Sequence, residues 1–345
     1  MFLNCPVCAA AWSSARGLLG PAGRRREIID IHAHVQISRY LEFAAERGLR
    51  RPTFNGTPPS ALPFPGGDDD AAVALRLRTM DAAGVRMQVL SPTLAPYFVD
   101  ESTGVTAVRL LNDGHARLAR EHPGRFASFV SLPAPHVAAS LREMRRGLDD
   151  LGMAGVTLQC FCLGRSVADD VFDPLFEEMD RRGAVLFLHP AVNGLQSPFI
   201  IDWRLTAAAG PVMEDQTIAL HLMVKNIPIR YPRIRIVIPH LGGGLSGLLE
   251  RLDNQMPQFT PGLLGRPSEM ARSFWYDTVS HGSRPALRAA VEAFGAGQLV
   301  PGSDFPVLAS FEPYAETFGY IRRSGLGRRD AHRVLYDNAP RLLNL

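Results

Sequence analysis

Short apolar runs and longer amphipathic stripes alternate along this chain. Residues 27–35 read Glu-Ile-Ile-Asp-Ile-His-Ala-His-Val, a β-branched run that fits a buried strand. Similar runs at 85–91, 126–132, 155–160, 184–188, 234–238, 274–279 and 298–301 predict further strands. Segments with helical spacing lie between them, at 38–48, 71–83, 106–121, 137–151, 172–182, 215–226, 246–255, 285–294 and 328–335. Near-continuous apolar strands such as Val-Leu-Phe-Leu at 185–188 suit a sheet covered on both faces. Eight strand–helix repeats predict an α/β protein, a (β/α)8 TIM barrel. A doubly wound open sheet is the alternative, but no Gly-x-Gly-x-x-Gly follows the first strand.

The pattern breaks after the first strand. Residues 51–70 are rich in proline and glycine, and a loop of that length in a compact domain is usually functional or disordered. Residues 36–70 are therefore read as an insertion and a lid. Residues 1–26 form an N-terminal extension, and 27–345 a single domain.

Composition narrows the partners. No apolar run reaches the ~20 residues that span a bilayer. Net charge is only +3, and Arg24, Arg25 and Arg26 read as a solvated flank, so neither membrane nor nucleic acid is expected. Cys5 and Cys8 lack the second pair that a structural zinc site wants, while Cys160 and Cys162 sit on an apolar run as small hydrophobes. A reduced, cytoplasmic protein is the expectation.

Side chains in a strand alternate faces, so His32 and His34 share one, and two such imidazoles make half a metal site. Two histidines lining a loop would read the same. What tips the reading is distant: His189 and His240 also end predicted strands, and Asp304 follows the last one. In a barrel those ends open on one mouth, where catalysis resides. His115, His122, His136, His221 and His332 lie on helices or their ends and read as capping or surface residues. His281 follows the seventh strand and is within reach of the mouth.

Five motifs in order resemble the amidohydrolase superfamily: Asp-Ile-His-Ala-His (30–34), Phe-Leu-His-Pro (187–190), Pro-His-Leu-Gly-Gly-Gly (239–244), Gly-Ser-Asp-Phe-Pro (302–306) and Asn-Ala-Pro-Arg-Leu-Leu (338–343). More narrowly they resemble its decarboxylase branch, typified by the aminocarboxymuconate-semialdehyde and γ-resorcylate decarboxylases. The resemblance implies one divalent ion, Zn²⁺ or else Mn²⁺, held by His32, His34, His189 and Asp304. Two-metal relatives bridge their ions with a lysine ending strand four. The only lysine here is Lys225, and strand four ends at Gln159 and Cys160.

His240 takes the family role of general base or acid, with a fifth ligand as its alternative, and Asp304 shares the proton handling. Arg251 stands 11 residues after His240, where the muconate enzymes carry an arginine that binds substrate carboxylate across a subunit interface; a surface ion pair is the alternative. Trp203 matches an aromatic wall of the pocket, and His281 is a further substrate candidate. A second substrate arginine has no clear counterpart, with Arg50, Arg51 and Arg76 as candidates, and Val307 replaces a family aromatic. The implied activity is non-oxidative decarboxylation of an aromatic or muconate-like carboxylic acid by a homodimer or higher oligomer, without an organic cofactor. Hydrolysis of an amide, lactone or C–C bond at the same site is the alternative, and a non-catalytic binding protein a third.

Overall fold

The computed structural model describes residues 27–49 and 66–345; the N-terminal extension with Cys5 and Cys8, and residues 50–65 of the expected lid, lie outside the described residues. Eight strands pair in parallel in chain order: β1 (Ile28–His34), β2 (Val85–Ser91), β3 (Phe126–Ser131), β4 (Gly155–Gln159), β5 (Val185–His189), β6 (Arg235–Ile238), β7 (Trp275–Asp277) and β8 (Leu299–Val300). The ring closes where β1 meets the chain after β8. Ile31 N–H donates to the Pro301 carbonyl (2.9 Å), Asp304 N–H to that of His32 (2.8 Å) and His34 N–H to that of Phe305 (2.7 Å). This is the expected TIM barrel.

Its main helices are α1 (Asp70–Ala83), α2 (Glu101–Glu121), α3 (Val137–Arg145), α4 (Asp173–Arg182), α5 (Gly210–Val224), α6 (Leu249–Phe259), α7 (Arg284–Phe294) and α8 (Asn338–Leu343). Helix α2 begins earlier than its apolar spacing suggests because Asp100 caps it, accepting from Thr103 N–H (2.7 Å) ahead of a polar first turn. Helix α3 runs on as a wider turn at Arg146–Asp150, within the single stripe expected at 137–151. Short helices at Pro198–Ile201, Ile227–Arg230, Pro267–Ser273 and Glu316–Arg322 carry too few residues to show a period.

Inside the barrel Ile29, Ile31, Val89, Phe129, Phe187 and Val237 form the packed interior, and Leu342 and Leu343 of α8 join it. Strict alternation on β1 would set Ile29 and Ile31 opposite His32 and His34. The pairing of β1 with β2 shifts register between Asp30 and Ala33, and this bulge turns His32 inward after Ile31. The His32 ring then lies 5.0 Å from that of Phe187. Asp30 faces outward into a buried polar network, accepting from the Ser303 hydroxyl (2.6 Å) and the Tyr314 hydroxyl (2.9 Å).

One histidine departs from the surface role expected of it. His115 on α2 is fully buried and bonds the Val35 carbonyl through Nε2 (3.1 Å). Its neighbours on α2 carry the helix's inward stripe, and the imidazole lies on that stripe rather than on the solvent face.

Candidate metal centre

Five polar side chains expected at the barrel mouth meet there. His32 and His34 end β1, His189 ends β5, His240 follows β6, and Asp304 follows β8. Ligand atoms of His32, His34, His189 and Asp304 all lie within 4.8 Å of one another. Gly302 makes the approach possible, because a Cβ there would lie 2.8 Å from Asp277 Cβ and 3.0 Å from His32 Cβ. His240 and Asp304 both adopt left-handed backbone, with φ of +50° and +53°. For residues that are not glycine this costs about 1–3 kcal/mol each and persists only where packing over-determines it.

Each imidazole is oriented by what its Nδ1 touches. His32 Nδ1 lies 2.7 Å from Asp277 Oδ2, His34 Nδ1 lies 3.1 Å from the Ser91 carbonyl, and His189 Nδ1 lies 3.0 Å from the Pro190 carbonyl. Carboxylates and carbonyls only accept, so Nδ1 carries the proton in all three and Nε2 keeps its lone pair. The lone pairs converge. His32 Nε2 is buried without a hydrogen-bond partner, 3.6 Å from Asp304 Oδ1. His34 Nε2 lies 3.0 Å from the same oxygen, lone pair against lone pair, an arrangement that a cation between them relieves. Burial lowers the pKa of His32, and that of His189 well below the ordinary value, which keeps these two imidazoles neutral as ligands must be. Burial raises the Asp304 pKa, but the imidazoles that face it, His240 first, outweigh burial and hold the carboxyl well below its usual range. Three imidazole nitrogens and one carboxylate fit a divalent cation with a position left open.

His240 stands beside this set. Its Nδ1 donates to Asp215 Oδ2 (2.7 Å), and its Nε2 lies 3.8 Å from Asp304 Oδ2. Burial pulls the imidazole's pKa down, but the adjacent Asp215 carboxylate overrides it and raises the pKa well above the usual histidine value. Gly243 lets the loop carrying His240 press against α5; a Cβ there would sit 2.1 Å from the Val212 carbonyl oxygen.

Asp277 and Asp215 were not among the residues singled out in the sequence. Asp277 ends β7 and accepts from both His32 Nδ1 and His240 N–H (2.9 Å), so the strand-end rule that found the histidines extends to it. Asp215 follows Glu214 in a largely apolar helix, and an acidic pair in such a helix is itself a signal.

The remaining candidates fall outside the cluster. Trp203 is 74% exposed on the loop after β5. Arg251 is exposed on α6 and makes no ion pair among the described residues, so the surface ion pair is not seen. His281 is exposed beside Phe311, with ring centroids 5.6 Å apart. Arg76 is no substrate residue: it is buried, donating to the His34 carbonyl (2.6 Å) and Gln88 Oε1 (2.8 Å), with its guanidinium 4.5 Å from the Phe305 ring centroid. Arg50 and Arg51 lie outside the described residues. Lys225 pairs with Asp170 (2.7 Å) on an exposed surface. Gln159 ends β4 instead, at a cavity lined also by Tyr97, Leu132 and His189.

Such a barrel, with a candidate ligand set at its C-terminal mouth, has the layout of a metal-dependent enzyme. The chain belongs to the amidohydrolase family, whose model matches residues 29–345. It is 26% identical over 242 residues to the 2-amino-3-carboxymuconate-6-semialdehyde decarboxylase of Dictyostelium discoideum, covering 67% of this chain and 66% of that one. With the γ-resorcylate decarboxylase of Rhizobium sp. MTP-10005 it shares 25% over 286 residues, 78% of this chain and 86% of that one. The dihydroxybenzoic acid decarboxylase of Polaromonas sp. JS666, solved with manganese and 2-nitroresorcinol, superposes with a TM-score of 0.80 at 21% identity, covering 93% and 98% of the two chains.

Proposed function

We propose that this protein is a metal-dependent, non-oxidative decarboxylase of an aromatic or unsaturated carboxylic acid. The observation that carries the reading is the convergence of three imidazoles and a carboxylate beside a histidine oriented by its own aspartate. The names of the relatives supply the substrate class. His32, His34, His189 and Asp304 would hold one divalent ion, Zn²⁺ in this reading with Mn²⁺ as the alternative suggested by the Polaromonas structure. When bound, such an ion would supply positive charge against the negative charge that develops in the reaction.

Asp215 occupies Nδ1 of His240, so Nε2 is the end free to exchange a proton with substrate. That proton goes to the ring or chain carbon bearing the carboxylate. The carbon–carboxylate bond then breaks, its electron pair restores conjugation, and CO₂ leaves. Arg251, which has no ion pair among the described residues, is suited to the carboxylate of a substrate in a neighbouring copy, and Trp203 to a wall of that pocket. Both belong to a homodimeric or larger assembly.

The test is to strip the protein, reload it with Zn²⁺ or Mn²⁺, count ions and offer a panel of hydroxybenzoates and muconates. About one ion per chain and release of CO₂ without an added oxidant are expected. Absence of CO₂ from every acid, with turnover of esters or amides, would establish the hydrolase instead.

A further inference from the structure

Glu214 is completely buried on α5, next to Asp215, yet the two carboxylates reach in different directions. Asp215 meets His240 after β6, whereas Glu214 meets the loop after β5. Its Oε2 accepts from the N–H groups of Ala191 (2.5 Å) and Val192 (3.1 Å). Its Oε1 accepts from those of Asn193 (2.9 Å) and Gly194 (3.1 Å).

Four consecutive amides thus converge on one carboxylate. A concave run of backbone N–H groups is an anion-binding shape, filled here by the chain's own anion. The loop bends to make it. Val192, Leu195 and Gln196 have φ of +52°, +56° and +55°, left-handed values that residues with a Cβ adopt at a cost. Charge-assisted bonds from four amides offset that cost. The same loop begins at the metal centre, since the Pro190 carbonyl is the acceptor that sets the tautomer and rotation of His189.

We infer that Glu214 is a positioning residue: by gathering the amides of residues 191–194 it fixes the Pro190 carbonyl, and through it aims His189 Nε2 at the metal. The helix start that orients the proton-transfer histidine through Asp215 also orients a ligand through Glu214, so one turn of α5 registers the β5 and β6 loops against each other. This rests on the metal-site reading above.

Two measurements test it. In the metal-free wild-type protein, hydrogen exchange at the amides of 191–194 should be slow, although they lie in a loop, and E214Q should release that protection. E214Q keeps the side chain's size but removes the charge and turns an NH₂ group toward the amides. Its dissociation constant for Zn²⁺, from competition with a chromogenic chelator at matched folded fraction, should rise about 10–100-fold, as for other residues that orient metal ligands. A purely structural contribution would lower the melting temperature of the metal-free protein and leave that constant where it was. Zn²⁺ binding by E214Q as tight as wild type overturns the inference, and so do wild-type amides that exchange like exposed ones; the second result needs no folded variant. Wild-type protein that binds no Zn²⁺ would sink the metal reading itself, with the exchange data still deciding whether the clamp exists.

Discussion

At the scale of single residues, the histidines show how neighbours decide what one side chain does. Those at the mouth present Nε2 because acceptors occupy Nδ1, whereas His115 is spent on the Val35 carbonyl with its Nδ1 buried and unpartnered. Burial pushes its pKa down to about 4, against the pull of that bond. The folded protein therefore keeps His115 neutral, while the unfolded chain takes up a proton near the ordinary value of about 6.5. With the folded pKa depressed, the stability this residue contributes is complete above that value and lost as pH falls from about 6.5 toward 4. His115→Gln preserves a donor to Val35 and removes the titration. Urea unfolding of the metal-free proteins should show wild type losing up to roughly 3 kcal/mol more than the variant across that range. Parallel stability curves would mean that the imidazole is protonated in the fold. Arg76 makes a related point, for a charge that by composition belongs on the surface holds the His34 carbonyl and covers the ring that follows Asp304.

At the scale of elements, the two ends of the barrel have separate tasks. The mouth depends on the β1 bulge, which lets Ile31 pack inward and His32 face the site in consecutive positions. The other end is closed by α8, whose Leu342 is fully buried among the interior side chains. Asn338 starts that helix and ties it to the start of β8 and the turn before it, donating to the carbonyls of Leu299 (2.6 Å) and Ala296 (2.7 Å). Leu342→Ala should cost about 2–5 kcal/mol in urea unfolding through the cavity it leaves, with Zn²⁺ affinity unchanged at the opposite end. Weakened metal binding at matched folded fraction would show that the two ends are coupled. Short helices such as Pro198–Ile201 were invisible in the pattern because a single turn has no period, and they shape the loop carrying Trp203.

For the whole molecule, no helix among the described residues is long and apolar enough to cross a membrane. Phe199, at 83% exposure, and Trp203 lie on the same loop, and large apolar side chains displayed together mark contact surfaces. If Arg251 serves a neighbour's site, Arg251→Ala should raise KM or lower kcat without unfolding the protein. Mixing it with Asp304→Ala should then recover part of the activity, because some mixed pairs contain one intact site. Activity that stays at the level of the separate variants would confine Arg251 to its own chain.

The sequence by itself determined the barrel and the convergence of His32, His34, His189, His240 and Asp304 at its mouth, since strand periodicity and polar residues at strand ends are local properties that survive in one dimension. It also places Gln159, and not lysine, at the end of β4, so no lysine stands there to bridge a second metal. Tertiary structure decided what holds those ligands in place. Asp277 bridges His32 to the His240 backbone, Asp215 orients the His240 ring, and Glu214 folds the loop after His189. These partners come from a different strand and from a helix, 20 or more positions from what they hold. The physical reason is that a hydrogen bond depends on distance and angle in space, and only closure of the barrel brings those atoms together.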